Sequence, residues 1–340
     1  MRFALACRTD LTTILSQNSL FVDIFFRPWV GVRSPERKHA RLHVTYSFTR
    51  SNQDAGFPLF PVDFSERSKA VCPYVRSFAG HFHAKVTLLN VVQLPPAIPG
   101  SGIDFSYPVM IDFPVFEEIR EVLTARLKDY FDAPGVAHVV EQGDPAMDIS
   151  DYARQHGVDL IMLPTHGHGR FRSLLLGSVT SKVLHDSDCE VWTAPHAEDP
   201  VMQQHWPCRQ MVVAVDRGPE QSRVLRRAAE LARELGASAR LVHAVPRAEH
   251  QPGETGGDEF AHFLLQMGDQ DMAKLQAAAE TNFEVSVVAG GIGPVVRQVA
   301  EAQHADLVVI GRGVMHQALG RLRSKSYEII RQSPCPVLSL

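Results

Sequence analysis

Two groups of residues have the types and spacing to handle an anionic ligand. The first is Pro164-Thr165-His166-Gly167-His168-Gly169-Arg170, followed by Gly177-Ser178-Val179. Glycines let the backbone approach a phosphate closely and adopt positive φ. Gly177-Ser178 stands just ahead of a helical pattern through Val179, Val183 and Leu184. Amides at such a helix start, together with the helix dipole, favour an anion, and the Ser178 hydroxyl adds a donor. The second group is the apolar run Phe57-Pro58-Leu59-Phe60-Pro61-Val62, which ends in Asp63. Its carboxylate can accept from a ribose hydroxyl while the neighbouring backbone meets an adenine edge. Asp63 could equally cap the helix that follows, and the residue types alone leave both readings open. A glycine-rich loop is weak evidence alone; with a Gly-Ser helix start and an Asp after an earlier strand it becomes a set.

Other chemistries fit less well. His166-Gly167-His168-Gly169 has the wrong order for the His-x-Gly-His of adenylyltransferases and follows the fourth strand, not the first. No Gly-x4-Gly-Lys-(Ser/Thr) loop is present, nor a Ser-Gly-Gly-x-Asp-Ser loop. The histidines at 166, 168, 185 and 196 lack a helical i, i+4 pair with a carboxylate base, so no metal site is expected. Arg321, Arg323 and Lys325 read as an exposed helix start. No residue has the look of a nucleophile or general base with an activating partner. No catalytic residue is therefore assigned, and an efficient enzyme is disfavoured.

The elements that must position these residues come as a repeat. Met211-Val212-Val213-Ala214-Val215-Asp216 repeats the apolar run ending in Asp63. Behind it, Val224, Leu225, Ala228, Ala229, Leu231, Ala232 and Leu235 form one helical stripe. Lys85–Val92 pairs with Ala239–Val245, Asp159–Leu163 with Asp306–Ile310, and Ser187–Trp192 with Ser333–Leu338. Gly143-Asp144-Pro145 and Gly291-Ile292-Gly293-Pro294 each open a helix. Continuous apolar strands alternating with helices predict a parallel sheet covered on both faces. In such a sheet ligands bind beyond the carboxyl ends of the strands, at the topological switch point. The linker is expected within His196–Pro207, and the long connections Gln93–Pro114 and Pro246–Asp258 are candidate lids or plain loop tips.

Gly167, nine intervening residues and then Gly177-Ser178 resemble the nucleotide-binding signature Gly-x2-Gly-x9-Gly-(Ser/Thr) of the universal stress protein family. Asp63-Phe64-Ser65-Glu66 is similar to that family's opening Asp-x-Ser. The resemblance covers residues 57–340 as a tandem pair. It implies an α/β fold of two Rossmann-like five-stranded parallel sheets of the adenine nucleotide alpha hydrolase-like type, strand order 3-2-1-4-5. It also implies bound ATP, with or without Mg2+. Carried over by position, Pro61, Val62, Asp63, Val91 and Leu163 would contact adenine and ribose, and Gly167, Gly177, Ser178 and Val179 would hold the phosphates. Pro164 departs from the signature, whose first glycine it replaces, and proline removes an N–H. The second half departs further: Arg323-Ser324 falls over Gly177-Ser178 and Gly313 over Gly167. An arginine there would crowd a phosphate or offer it a charge, and a degenerate domain is the favoured reading. The implied function is an ATP-binding stress or regulatory module. A scaffold that binds no nucleotide and a slow ATPase or phosphotransfer protein are the alternatives.

Composition sets the outer bounds. The 340 residues carry 34 Lys+Arg against 38 Asp+Glu, a net charge of −4, with 45% hydrophobic residues. Residues 1–52 hold eight basic and three acidic side chains, which leaves −9 on the remainder and argues against nucleic-acid binding. Five scattered cysteines without CxxC spacing argue against a disulfide framework and for a reducing cytoplasm. No run of about 18 apolar residues could span a membrane. The expected organisation is a basic, poorly ordered extension at 1–52, a first domain at 53–198 and a second at 206–340. The two domains are expected to pair within the chain as a pseudo-twofold unit, with further homodimerisation left open.

Overall fold

The structure is a computed structural model, in which residues 57–93, 113–166, 176–195, 208–218, 220–247, 257–312 and 322–340 are described. The extension at 1–52, the linker, Gly167, Gly313 and most of both long connections lie outside the described residues, as do the side chains of Arg323 and Ser324.

The first half runs β1 (Pro58–Pro61), α1 (Glu66–Phe82), β2 (Thr87–Val92), α2 (Phe113–Tyr130), β3 (Ala137–Gln142), α3 (Pro145–His156), β4 (Leu160–Pro164), α4 (Ser178–Asp186) and β5 (Glu190–Ala194). The second half repeats it as β6 (Gln210–Ala214), α5 (Gln221–Leu235), β7 (Ser238–Val245), α6 (Gly257–Ala279), β8 (Glu284–Ala289), α7 (Ile292–Ala302), β9 (Leu307–Ile310), α8 (Leu322–Gln332) and β10 (Val337–Ser339). All ten strands form one sheet in the order β3-β2-β1-β4-β5-β10-β9-β6-β7-β8. Each half is thus a parallel sheet of order 3-2-1-4-5. The two join where β5 and β10 pair antiparallel, with Leu338 opposite Trp192.

Strands buried on both faces give the sheet two cores. Phe60, Met162, Trp192, Val213 and Leu338 face a cluster that also takes Val71, Tyr74, Leu127, Val224, Leu225 and Met272, so α1, α2, α5 and α6 cover that side. Their neighbours Leu59, Ile161, Val191, Val212 and Val337 face the other side, covered by α3, α4, α7 and α8 through Ile149, Val183, Val296 and Ile330. Both clusters run across the β5–β10 junction, since each includes residues of both halves.

The last strand of each half occupies only the end of its repeated segment. Ser187 is the C-cap of α4, its N–H bonded to the Val183 carbonyl, so β5 begins at Glu190. In the second half Pro334 and Pro336 lack the N–H a ladder needs, and β10 begins at Val337.

Candidate functional site

The switch point lies between β1 and β4, which are neighbours in the sheet while the chain leaves them toward opposite faces. Three pieces of backbone end on this side of the sheet: β1 at Pro61–Asp63, β2 at Asn90–Val92, and β4 at Pro164–His166 with the start of α4 at Gly177–Val179 bonded to it.

The end of β1 is held by a compact polar turn. Asp63 Oδ1 accepts from the Ser65 amide at 2.9 Å and from the Ser65 hydroxyl at 2.6 Å. Ser65 in turn caps α1, its Oγ accepting from the Ser68 amide at 3.1 Å. The helix cap is therefore Ser65, not Asp63, and Asp63 positions that cap from an exposed place at the crevice mouth. Phe64 between them has φ 60°, the strained left-handed region. Its ring packs edge-on against Tyr130 with centroids 5.6 Å apart and lies under Arg126.

β2 outruns β1, whose last partnered residue is Pro61, opposite Leu89. The Val62 amide donates to the Leu89 carbonyl at 2.8 Å. On the other side, the carbonyls of Val86 and Val92 accept from Ala137 and Gly143 of the β3 side. Ladder groups alternate in direction along a strand, so the amide and carbonyl of Val91 point toward the β1 side, beyond the strand's end. Asn90 fixes this edge: its buried side chain donates to the Val62 carbonyl at 2.7 Å. Nothing in the signature marks Asn90. Its signal is a polar residue inside an otherwise apolar strand, and His243 provides the same signal in the second half. His243 Nδ1 donates to the Val215 carbonyl at 3.0 Å, so the imidazole carries its proton on Nδ1.

The third piece closes the crevice. The Gly177 amide donates to the Thr165 carbonyl at 2.9 Å, and the Thr180 hydroxyl donates to the Pro164 carbonyl at 3.0 Å. These bonds pin the start of α4 against the end of β4. A Cβ on Gly177 would lie 3.2 Å from the Thr165 carbonyl oxygen, tighter than such contacts normally run. Gly177 is the N-cap and supplies no side chain; the first turn holds no acidic residue. The opening amides of α4 have no acceptors within the helix, and the dipole adds positive character there. Ser178 is exposed at this end and Val179 half-buried beside it. Leu163 is buried within the α3–α4 core, so it can serve the site only as floor.

The second half keeps the frame and sets different side chains at the matching positions. Asp216 matches Asp63, but Lys325 of α8 reaches it at 2.8 Å, and Arg217 donates its amide to the same carboxylate. Burial opposes the Asp216 charge. The Lys325 ammonium and the amide outweigh it and hold the carboxyl below the ordinary range. Gln221, buried, stands where α1 carries Ser68, and with Val224 it crowds Gly311 at the end of β9. Arg312, the counterpart of Thr165, turns away to bond the carbonyls of Ser187 and Cys189 in the first half.

Among the described residues no three His, Cys, Asp or Glu side chains converge as metal ligands. No described helix is long and apolar enough to cross a membrane.

Residues 59–195 and 207–340 each match the universal stress protein family. A universal stress protein of Methanocaldococcus jannaschii is 29% identical over 135 residues, 39% of this chain and 78% of that protein. The crystal structure of a universal stress protein from Archaeoglobus fulgidus covers 84% of this chain and 96% of its own, with a TM-score of 0.57 at 23% identity. Another Archaeoglobus fulgidus universal stress protein, solved in complex with dAMP, covers 38% of this chain and 96% of its own, at 25% identity and a TM-score of 0.27. With two matched segments spanning most of its length, the chain belongs to the universal stress protein family and carries two such domains in tandem.

Proposed function

We propose that the first domain, residues 53–198, binds an adenine nucleotide, ATP foremost, and that the chain is a nucleotide-dependent regulatory module. The observation that carries this reading is a juxtaposition. The outward backbone edge at Val91 and the opening amides of α4, which no side chain caps, both lie at the carboxyl ends of the strands that flank β1. The first matches the donor-acceptor edge of a base and the second matches a phosphate. Pro61, Val62 and Val91 would flank adenine over the Leu163 floor, with Asp63 at the ribose. Gly177, Ser178 and Val179, with Gly167 from the intervening loop, would hold the phosphates. Pro164 costs little here, because its carbonyl, not an N–H, is what the local structure uses.

The second domain, residues 206–340, keeps the fold and takes no nucleotide in this reading. The Asp216–Lys325 bridge and the Gln221 side chain occupy the corresponding space. Pairing of the two domains then serves as a built-in dimer, acting in the cytoplasm, with a protein partner reading the nucleotide state.

Calorimetry on the full chain tests the reading. ATP should bind with a stoichiometry of one per chain, and Gly177→Arg should abolish it by placing a side chain against Thr165. Wild-type protein that neither carries nucleotide on purification nor binds ATP would overturn the proposal in favour of a plain scaffold.

A further inference from the structure

We propose that Arg312 and Tyr327, both from the second domain, are positioning residues for the α4 amides of the first. This rests on the nucleotide reading of the preceding section. α4 has nine residues, and a helix that short is marginal in isolation. Its axis must be set by what packs on it. Apolar contact comes from Thr180, Val183 and Leu184, the buried residues of the helix. Two directional contacts come from across the β5–β10 junction. The Tyr327 hydroxyl of α8 donates to the Ser181 carbonyl at 2.9 Å, three residues beyond Ser178. The Arg312 guanidinium donates to the Ser187 carbonyl, at the C-cap of α4, at 2.6 Å and also to the Cys189 carbonyl.

Arg312 is itself anchored, its amide donating to the Leu340 carbonyl at 3.0 Å. Its charge lies at the negative end of the α4 dipole, where a cation is favourable. The other side of the same cap is held by Ser150, whose hydroxyl is 3.1 Å from that of Ser187. α4 is thus fixed along its axis and in rotation by residues that touch no ligand. Small misplacements of groups that hold a ligand are costly, so the second domain's contribution is the aim of the first domain's phosphate donors.

The test uses full-length Tyr327→Phe, Arg312→Gln and Arg312→Lys, each checked for wild-type circular dichroism. Titration with ATP and with adenosine separates phosphate aim from base binding. The expected result for Tyr327→Phe and Arg312→Gln is an ATP affinity about threefold to tenfold weaker, adenosine affinity unchanged, and partial recovery in Arg312→Lys. Without any ligand, amide hydrogen exchange at 181–186, the amides that donate within α4, should quicken in the first two variants. Unchanged exchange, or ATP and adenosine weakened equally, would overturn the positioning role. Failure of wild type to bind ATP would overturn the site reading instead, while the exchange measurement still judges the bracing of α4.

Discussion

At the scale of residues, the two halves differ by a few side chains at matched positions of one frame. Val179 and Lys325 occupy matched positions in the first turns of α4 and α8. The lysine reaches Asp216, whereas the valine cannot reach Asp63. A depressed folded pKa contributes stability that is complete above the unfolded value and is lost as pH falls through the folded one. Lys325→Ala should therefore raise the Asp216 carboxyl toward the ordinary Asp value of about 3.9, visible in its carboxylate carbon shift on acid titration. Both side chains are about half exposed, so global stability near neutral pH should fall by less than about 1 kcal/mol. Asn90 is different in kind. Its removal leaves the buried Val62 carbonyl without that donor, and Asn90→Ala should cost about 1–3 kcal/mol by chemical denaturation. Asp63 was legible from the repeated apolar run it ends, and Gly177 and Ser178 from the glycine-rich spacing before a helical pattern. Asn90, Thr165 and Thr180 were not, because each acts through a backbone carbonyl that only the folded chain brings near.

At the scale of elements, the strands and helices follow from apolar runs and caps. Asp144 caps α3 by accepting from the Met147 amide at 2.9 Å, with Pro145 at the first helical position, so Gly143-Asp144-Pro145 is a helix start in the fold as in the sequence. That donation, with the Lys182 contact, holds the Asp144 carboxyl below its usual range. α1 depends on Ser65, and Ser65→Ala should cost about 1 kcal/mol. It should also release Asp63 from the 2.6 Å hydroxyl contact. Thermal melting would read the first effect and the nucleotide affinity the second. α4 is the element whose placement periodicity could not supply. Its pattern of Val179, Val183 and Leu184 predicts one buried face, which the fold buries through Val183 and Leu184 with Thr180, leaving Val179 half-buried. The direction of its axis depends on Arg312 and Tyr327, more than 120 residues away.

At the scale of the whole molecule, the junction joins the two domains through every layer. β5 and β10 pair, both cores cross, and Arg227 of α5 bonds Glu190 of β5 at 2.6 Å. Burial opposes the Arg227 charge, but the Glu190 carboxylate dominates and raises its pKa further. His81 of α1 bonds the Glu234 carbonyl at the end of α5 at 3.1 Å. A core shared across the junction couples the unfolding of the two halves. Calorimetric melting should show a single transition for residues 57–340, and Leu338→Asp, which buries a charge opposite Trp192, should lower both halves together. Two separate transitions would show the domains to be independent.

The sequence by itself determined the α/β class, the tandem repeat, the order of elements within each half, and that Asp63 follows the first strand and Gly177 precedes a helix. Those features are written in local patterns: apolar period, caps, and residue types at fixed spacing. Tertiary structure alone decided that Lys325 of α8 meets Asp216 beyond the end of β6. It also decided that the two sheets join edge to edge and that α4 is held by side chains of the other domain. Each of these is a contact between residues far apart in the chain, and no local pattern encodes which distant partner a given side chain will meet.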